Sequence, residues 1–135
     1  MTETFDVVVV GFGLAGAIAA IEAHDRGASV IILEKQTMPG GISICAGGGA
    51  RIADDADQAT AYLKASAQQT TAEPVLRRLA EGAVELPRYI KSLAEPFGAT
   101  TSVVPGKGNY PLPGYETWSY IEVDTIPGLD PADAY

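Results

Sequence analysis

The sequence predicts an α/β fold with a parallel sheet, incomplete within these 135 residues, followed by a helical stretch and then by short strands and turns. Three observations carry that expectation. Residues 6–34, DVVVVGFGLAGAIAAIEAHDRGASVIILE, read as strand, tight turn, helix and strand in direct succession. Residues 54–97 then repeat apolar positions at helical spacing, and from Gly98 onward β-rich pieces are broken by Pro-Gly pairs. The divisions drawn are 1–50, 51–97 and 98–135.

Val7 to Val10 is an uninterrupted β-branched run, the pattern of a parallel strand buried on both faces. It stops at Gly11, Gly13 and Gly16, spaced G-x-G-x-x-G. The first glycine permits the tight turn, the second lets a pyrophosphate approach the backbone, and the third lets helix and strand pack closely. Ala17, Ile18, Ala20, Ile21 and Ala23 supply the apolar positions of the helix, and Gly27 is placed to end it. The free N–H groups at the start of such a helix stabilise an anion without any lysine. Val30 to Leu33 forms the next strand and ends in Glu34, whose carboxylate can accept hydrogen bonds from ribose hydroxyls and would repel a 2′-phosphate. Strand, glycine turn, helix, second strand and terminal acid together imply a dinucleotide bearing an unphosphorylated adenosine ribose.

One such unit needs further parallel strands to cover its edges, and the remaining sequence offers few, so an N-terminal part of a longer domain is expected. A formal charge of −8 argues against nucleic acid as a partner. The single Cys45 excludes an internal disulfide, a paired-cysteine redox centre and a four-cysteine metal site, and no metal is expected. Val7 to Ile21 carries no charge, but it is short of the ~20 residues of a membrane span and is interrupted by glycines. A soluble, cytoplasmic chain is the expectation.

Residues 35–50, KQTMPGGISICAGGGA, are glycine-rich yet too apolar at Ile42, Ile44, Cys45 and Ala46 for a solvated linker. Gly40-Gly41 and Gly47-Gly48-Gly49 offer backbone N–H groups to a phosphate or flat ring, and Ser43 adds a hydroxyl. A ligand-cradling loop without an early helix is expected. Asp54 to Gln69 and Glu73 to Phe97 read as helices. Ala59, Tyr62, Leu63 and Ala67 share one face of the first; Val75, Leu76, Leu79, Ala83, Leu86, Ile90 and Leu93 mark the apolar face of the second. Thr71 is the expected cap before Glu73-Pro74, Pro87 is expected to kink or divide the second helix, and Arg77, Arg78, Arg88 and Lys91 are expected to form a solvated face. Thr100 to Val104 and Trp118 to Val123 are the expected strands, with Tyr110, Tyr115, Trp118 and Tyr120 as packing aromatics.

GFGLAG, ILEK, GGIS with AGGG, and the helical stretch around AYLKAS resemble the N-terminus of the Rossmann-like FAD-binding domain in the fumarate reductase and succinate dehydrogenase flavoprotein family, including its 3-ketosteroid dehydrogenase-like relatives. The resemblance implies that FAD is the cofactor. It sets Gly11, Gly13, Ala15 and Gly16 at the pyrophosphate, Glu34 at the adenosine ribose and Lys35 beside the adenine. It also implies that Gly41, Ser43, Gly47, Gly48 and Gly49 wrap the ribityl chain, the phosphate and the flavin edge. Membrane-bound relatives attach the flavin through a histidine at the position of Ile42, so here the resemblance implies non-covalent FAD. Disulfide reductases would need a second cysteine, and amine oxidases resemble one another in arginines that flank a Gly-Gly pair and are missing here.

The implied function is the FAD-binding part of an oxidoreductase, a dehydrogenase or reductase acting on carbon–carbon bonds of an organic acid or steroid-like ketone. Its catalytic residues and substrate-capping domain are expected outside this region. The only histidine, His24, is expected to act as a helix-end dipole partner. A nucleotide-binding module that needs a partner chain, and an NAD-binding domain, are the alternatives.

Overall fold

The computed structural model describes residues 3–129, in two compact units, Met1–Gly47 and Gly48–Tyr135. In the first unit, strand β1 (Val7–Val10) and strand β2 (Val30–Leu33) pair in parallel, Val7 opposite Val30 and Val10 opposite Leu33. Helix α1 (Leu14–Asp25) connects them and packs on both. Asp6 and Ser29 pin the sheet at its start: Ser29 N and Oγ donate to Asp6 Oδ2 at 2.9 and 2.6 Å, and Asp6 N donates to Ser29 Oγ. These bonds hold the Asp6 carboxyl below its ordinary range. The expected burial on both faces is not seen. Side chains of β1 alternate, with Val8 exposed and Val10 84% exposed, because α1 covers only one side of the two strands.

Gly27 follows the helix cap at a φ of +87°, and its N–H donates to the His24 carbonyl, so the expected glycine stop is present. The loop after β2 departs from expectation. Gly41–Ala46 forms a 3₁₀ helix, which tolerates the glycines and β-branched residues that disfavour an α-helix.

In the second unit, strand β3 (Gly49–Ala53), strand β4 (Thr100–Pro105) and strand β5 (Trp118–Thr125) form an antiparallel sheet in the order β3-β5-β4. Strand β3 is a correction to the reading of 51–97 as helical: its ladder to β5 sets Gly49 opposite Glu122 and Ala53 opposite Trp118. The last part of the expected strand region, 130–135, lies outside the described residues.

Helix α2 (Ala56–Ala67) starts at Asp55, whose carboxylate accepts from the amides of Asp57 and Gln58 at 2.8 and 2.9 Å. Helix α3 (Glu73–Ala94) is capped at Ala72, not Thr71, without a side-chain bond, and its second residue is Pro74. Pro87 lies inside α3 without dividing it.

The core of this unit is Ala53, Ala59, Tyr62, Ala80, Ala83 and Trp118, with the Tyr62 and Trp118 rings 5.6 Å apart. Leu76 is buried as expected, but Val75 and Leu79 face outward, because the small Ala80 and Ala83 take the contact with α2 and the sheet. Arg77 pairs with Asp57 and Glu81 on the solvated face. No helix among the described residues is long and apolar enough to cross a membrane, and no group of three His, Cys, Asp or Glu side chains there can hold a metal.

Candidate functional site

The turn from β1 into α1 is built by close approach. Gly11 sits at a φ of +100°, and its N–H donates to the Leu33 carbonyl at 2.8 Å, tying the turn to the end of β2. A Cβ on Gly16 would lie 2.0 Å from the Gly11 carbonyl oxygen, so only glycine lets the helix settle against the turn. At Gly13 the situation differs. A Cβ there would meet only Ser43 Oγ and the Gly40 carbonyl at 3.5 and 3.6 Å, ordinary contacts, so the fold itself does not demand glycine at this position.

Ser43 reaches the same spot from the 3₁₀ helix. Its hydroxyl accepts from Leu14 N, the first amide of α1, at 3.1 Å, and keeps its own proton to donate onward. Gly40 N donates to the Phe12 carbonyl at 2.7 Å, and Gly40 and Gly13 form a parallel bridge, so the loop carrying Ser43 is fixed beside the glycine turn. Ala17 N bonds to the Gly13 carbonyl as the first closed turn of the helix. The amides of Ala15 and Gly16, ahead of it, belong to the orphan donors of a helix start.

Glu34 stands at the end of β2, where the sequence placed it. Its two carboxylate oxygens accept from Phe12 N at 2.7 Å and Gln36 N at 2.8 Å. Those backbone donors, that of Phe12 first, lower its proton affinity, so it is held as a carboxylate with lone pairs still free for further donors. The exposed Lys35 follows it. Helix start, Ser43 hydroxyl and fixed carboxylate therefore converge on one end of the first unit, the crevice beyond the carboxyl ends of the parallel strands.

The protein-family model described as "FAD binding domain" matches residues 6–108. The chain belongs to this FAD binding domain family. Its relatives include a 3-oxo-5-alpha-steroid 4-dehydrogenase of Comamonas testosteroni, 35% identical over 84% of this chain and 23% of its own length. An NADH:fumarate oxidoreductase of Klebsiella pneumoniae is 54% identical over 38% of this chain and 6% of its own. Among solved structures, a 3-ketosteroid delta1-dehydrogenase from Sterolibacterium denitrificans, in complex with 1,4-androstadiene-3,17-dione, matches with a TM-score of 0.75 at 32% identity, covering 90% of this chain and 23% of that one. The chain thus spans less than a quarter of the length of these relatives.

FAD is the cofactor of this FAD binding domain, and the first unit fits it. A helix start and a hydroxyl suit the pyrophosphate, and a fixed carboxylate suits the ribose. Gly41 and Gly47, at φ of +52° and +64°, bound the 3₁₀ helix that carries Ser43. Gly48 and Gly49 belong to the second unit, where Gly48 O accepts from Val123 N and Gly49 opens β3. Sequence reasoning missed the Leu14–Ser43 bond; its only sign was a lone serine in an otherwise apolar loop.

Proposed function

We propose that this FAD binding domain serves an oxidoreductase in which a hydride moves between flavin and a carbon–carbon bond of an organic acid or steroid-like ketone. The flavin supplies the redox chemistry; the chain's own residues bind and orient it. In this reading the amides of Ala15 and Gly16 and the Ser43 hydroxyl neutralise the pyrophosphate, and Gly13 leaves room for it. Glu34 accepts from the ribose hydroxyls, Lys35 lies beside the adenine, and Gly11, Gly41 and Gly47–Gly49 shape the backbone around the remainder. The observation that carries the reading is the Ser43 hydroxyl fixed on the first amide of α1 while Glu34 is locked by Phe12 and Gln36.

Attachment is non-covalent, because the hydrocarbon side chain of Ile42, 85% exposed on the 3₁₀ helix, has no atom able to bond to the flavin ring. The names of the relatives, steroid dehydrogenases and a fumarate oxidoreductase, support the substrate class. The test is the visible spectrum of the purified chain reconstituted with FAD, before and after acid precipitation. A flavin band that is retained through gel filtration and then released wholly into the acid supernatant is expected. No retained flavin refutes the site, and flavin in the pellet refutes non-covalent attachment.

A further inference from the structure

The second unit carries a groove that the flavin reading does not use. Along α3 it is lined by Pro74, Val75, Arg78, Leu79 and Leu86, open to solvent, with a volume of about 640 Å³. Arg51, Leu79 and Ala83 are shared with an inner cavity of about 270 Å³, whose walls include Tyr62, Asn109 and Trp118. The walls are mostly hydrocarbon, and Leu79 is 57% exposed there rather than packed in the core.

Two polar groups in this lining lack the partners their chemistry calls for. Arg51 Nη1 donates to the Lys107 carbonyl and Nη2 to Asn109 Oδ1, each at 2.6 Å, and the guanidinium lies 4.4 Å from the centre of the Tyr120 ring. All three partners are neutral, and among the described residues no carboxylate pairs with Arg51, although the chain carries a net charge of −8. Held on three sides, the fork is rigid with N–H groups to spare. Trp118 is only 6% exposed, and its buried indole N–H has no acceptor among the described residues. Trp118 borders the inner cavity, so its emission reports on what enters there.

We propose that this groove binds a compact apolar carboxylate, its hydrocarbon body against Val75 and Leu79 and its carboxylate on Arg51. Charge complementarity selects the anion, and the apolar walls select a ring or branched alkyl body over a small hydrophilic acid. The site lies within one unit and does not depend on how FAD is bound.

The test uses the full chain and the emission of Trp118, the only tryptophan in the sequence. The probe trans-4-tert-butylcyclohexanecarboxylate is titrated at pH 7 beside the corresponding cyclohexylmethanol. A saturable emission change is expected, with the alcohol bound at least ~10-fold more weakly, as befits loss of a charge-assisted bidentate contact. Arg51→Gln should erase that preference. Leu79→Phe, at an exposed position that leaves the core untouched, should abolish binding of both probes with an unchanged far-UV circular dichroism spectrum. No saturable change, equal affinity for the two probes, or full binding by the Leu79→Phe chain overturns the proposal. Self-association in sedimentation that Leu79→Glu abolishes would assign the groove to a second copy and overturn it equally.

Discussion

Gly13 and Gly16 belong to one motif, yet the structure assigns them different reasons for being glycine, and alanine separates the two. In Gly16→Ala the new methyl would stand 2.0 Å from the Gly11 carbonyl oxygen, 3.2 Å from its carbon and 3.3 Å from Val9 Cγ1. Side-chain carbons seldom come within about 3 Å of an oxygen, so α1 must retreat from the turn by about 1 Å, an overpacking cost of about 3 kcal/mol. The melting temperature of the flavin-free chain should fall by about 10 °C, and FAD affinity should fall as well because the retreat carries the first amides of α1 away from the phosphate position. In Gly13→Ala the methyl meets nothing closer than 3.5 Å, and the φ of −85° suits alanine. The weaker cap costs a few tenths of a kcal/mol, and the reduced freedom of the unfolded chain offsets about as much. Stability should therefore hold within about 0.5 kcal/mol while FAD affinity drops at least ~10-fold, because the methyl occupies the phosphate's approach. Differential scanning fluorimetry and titration of FAD fluorescence read the two quantities independently. A Gly13→Ala chain that melts early, or a Gly16→Ala chain that melts as the parent does, would refute the division of roles.

Ser43→Ala removes the acceptor of the Leu14 amide and should cost about 1 kcal/mol with a roughly tenfold loss of FAD affinity, whereas Ser43→Thr restores most of both; calorimetry with FAD decides. Glu34→Gln keeps the shape but sets an amide N–H₂ against either Phe12 N or Gln36 N, so the amide resonances of those residues should shift and FAD binding weaken. For pH, the carboxyls of Asp6 and Glu34 both have folded-state values below the ordinary range. The unfolded chain then binds more protons, so their contribution is complete above the unfolded value near pH 4 and disappears as pH falls through the lower folded value. Urea midpoints should stay level from pH 7 to about 5 and decline below about 4, and Asp6→Asn should flatten that decline.

The first unit was the more legible one because its instructions are local. The run Val7–Val10, the glycine spacing, Gly27 after α1 and Glu34 at the end of β2 each specify their conformation within a few residues. Strand β3 was hidden for the opposite reason. Its residues, Gly-Ala-Arg-Ile-Ala, have little strand preference of their own and are extended because β5, far along the chain, offers them a ladder. Side-chain partners across long separations were equally unreadable: nothing in the order of residues ties Arg51 to Asn109, or Ser43 to the first amide of α1. The periodicity of α3 predicted an apolar face, but volume decided which residues filled it, so Ala80 went inward and Leu79 outward.

The parallel pair β1–β2 has consequences for how the chain behaves in concentrated solution. Among the described residues each of its strands has only one neighbour, so both outer edges offer unpaired backbone groups, and Val8 and Val10 give one face an oily surface. The net charge of −8 opposes pairing of these edges between copies of the chain. That repulsion reaches about 10 Å at 0.1 M salt but only about 3 Å at 1 M, shorter than the 4.7–4.9 Å spacing at which strands pair. Edge pairing between copies should therefore rise with salt, which light scattering at 0.1 M and 1 M salt reads directly.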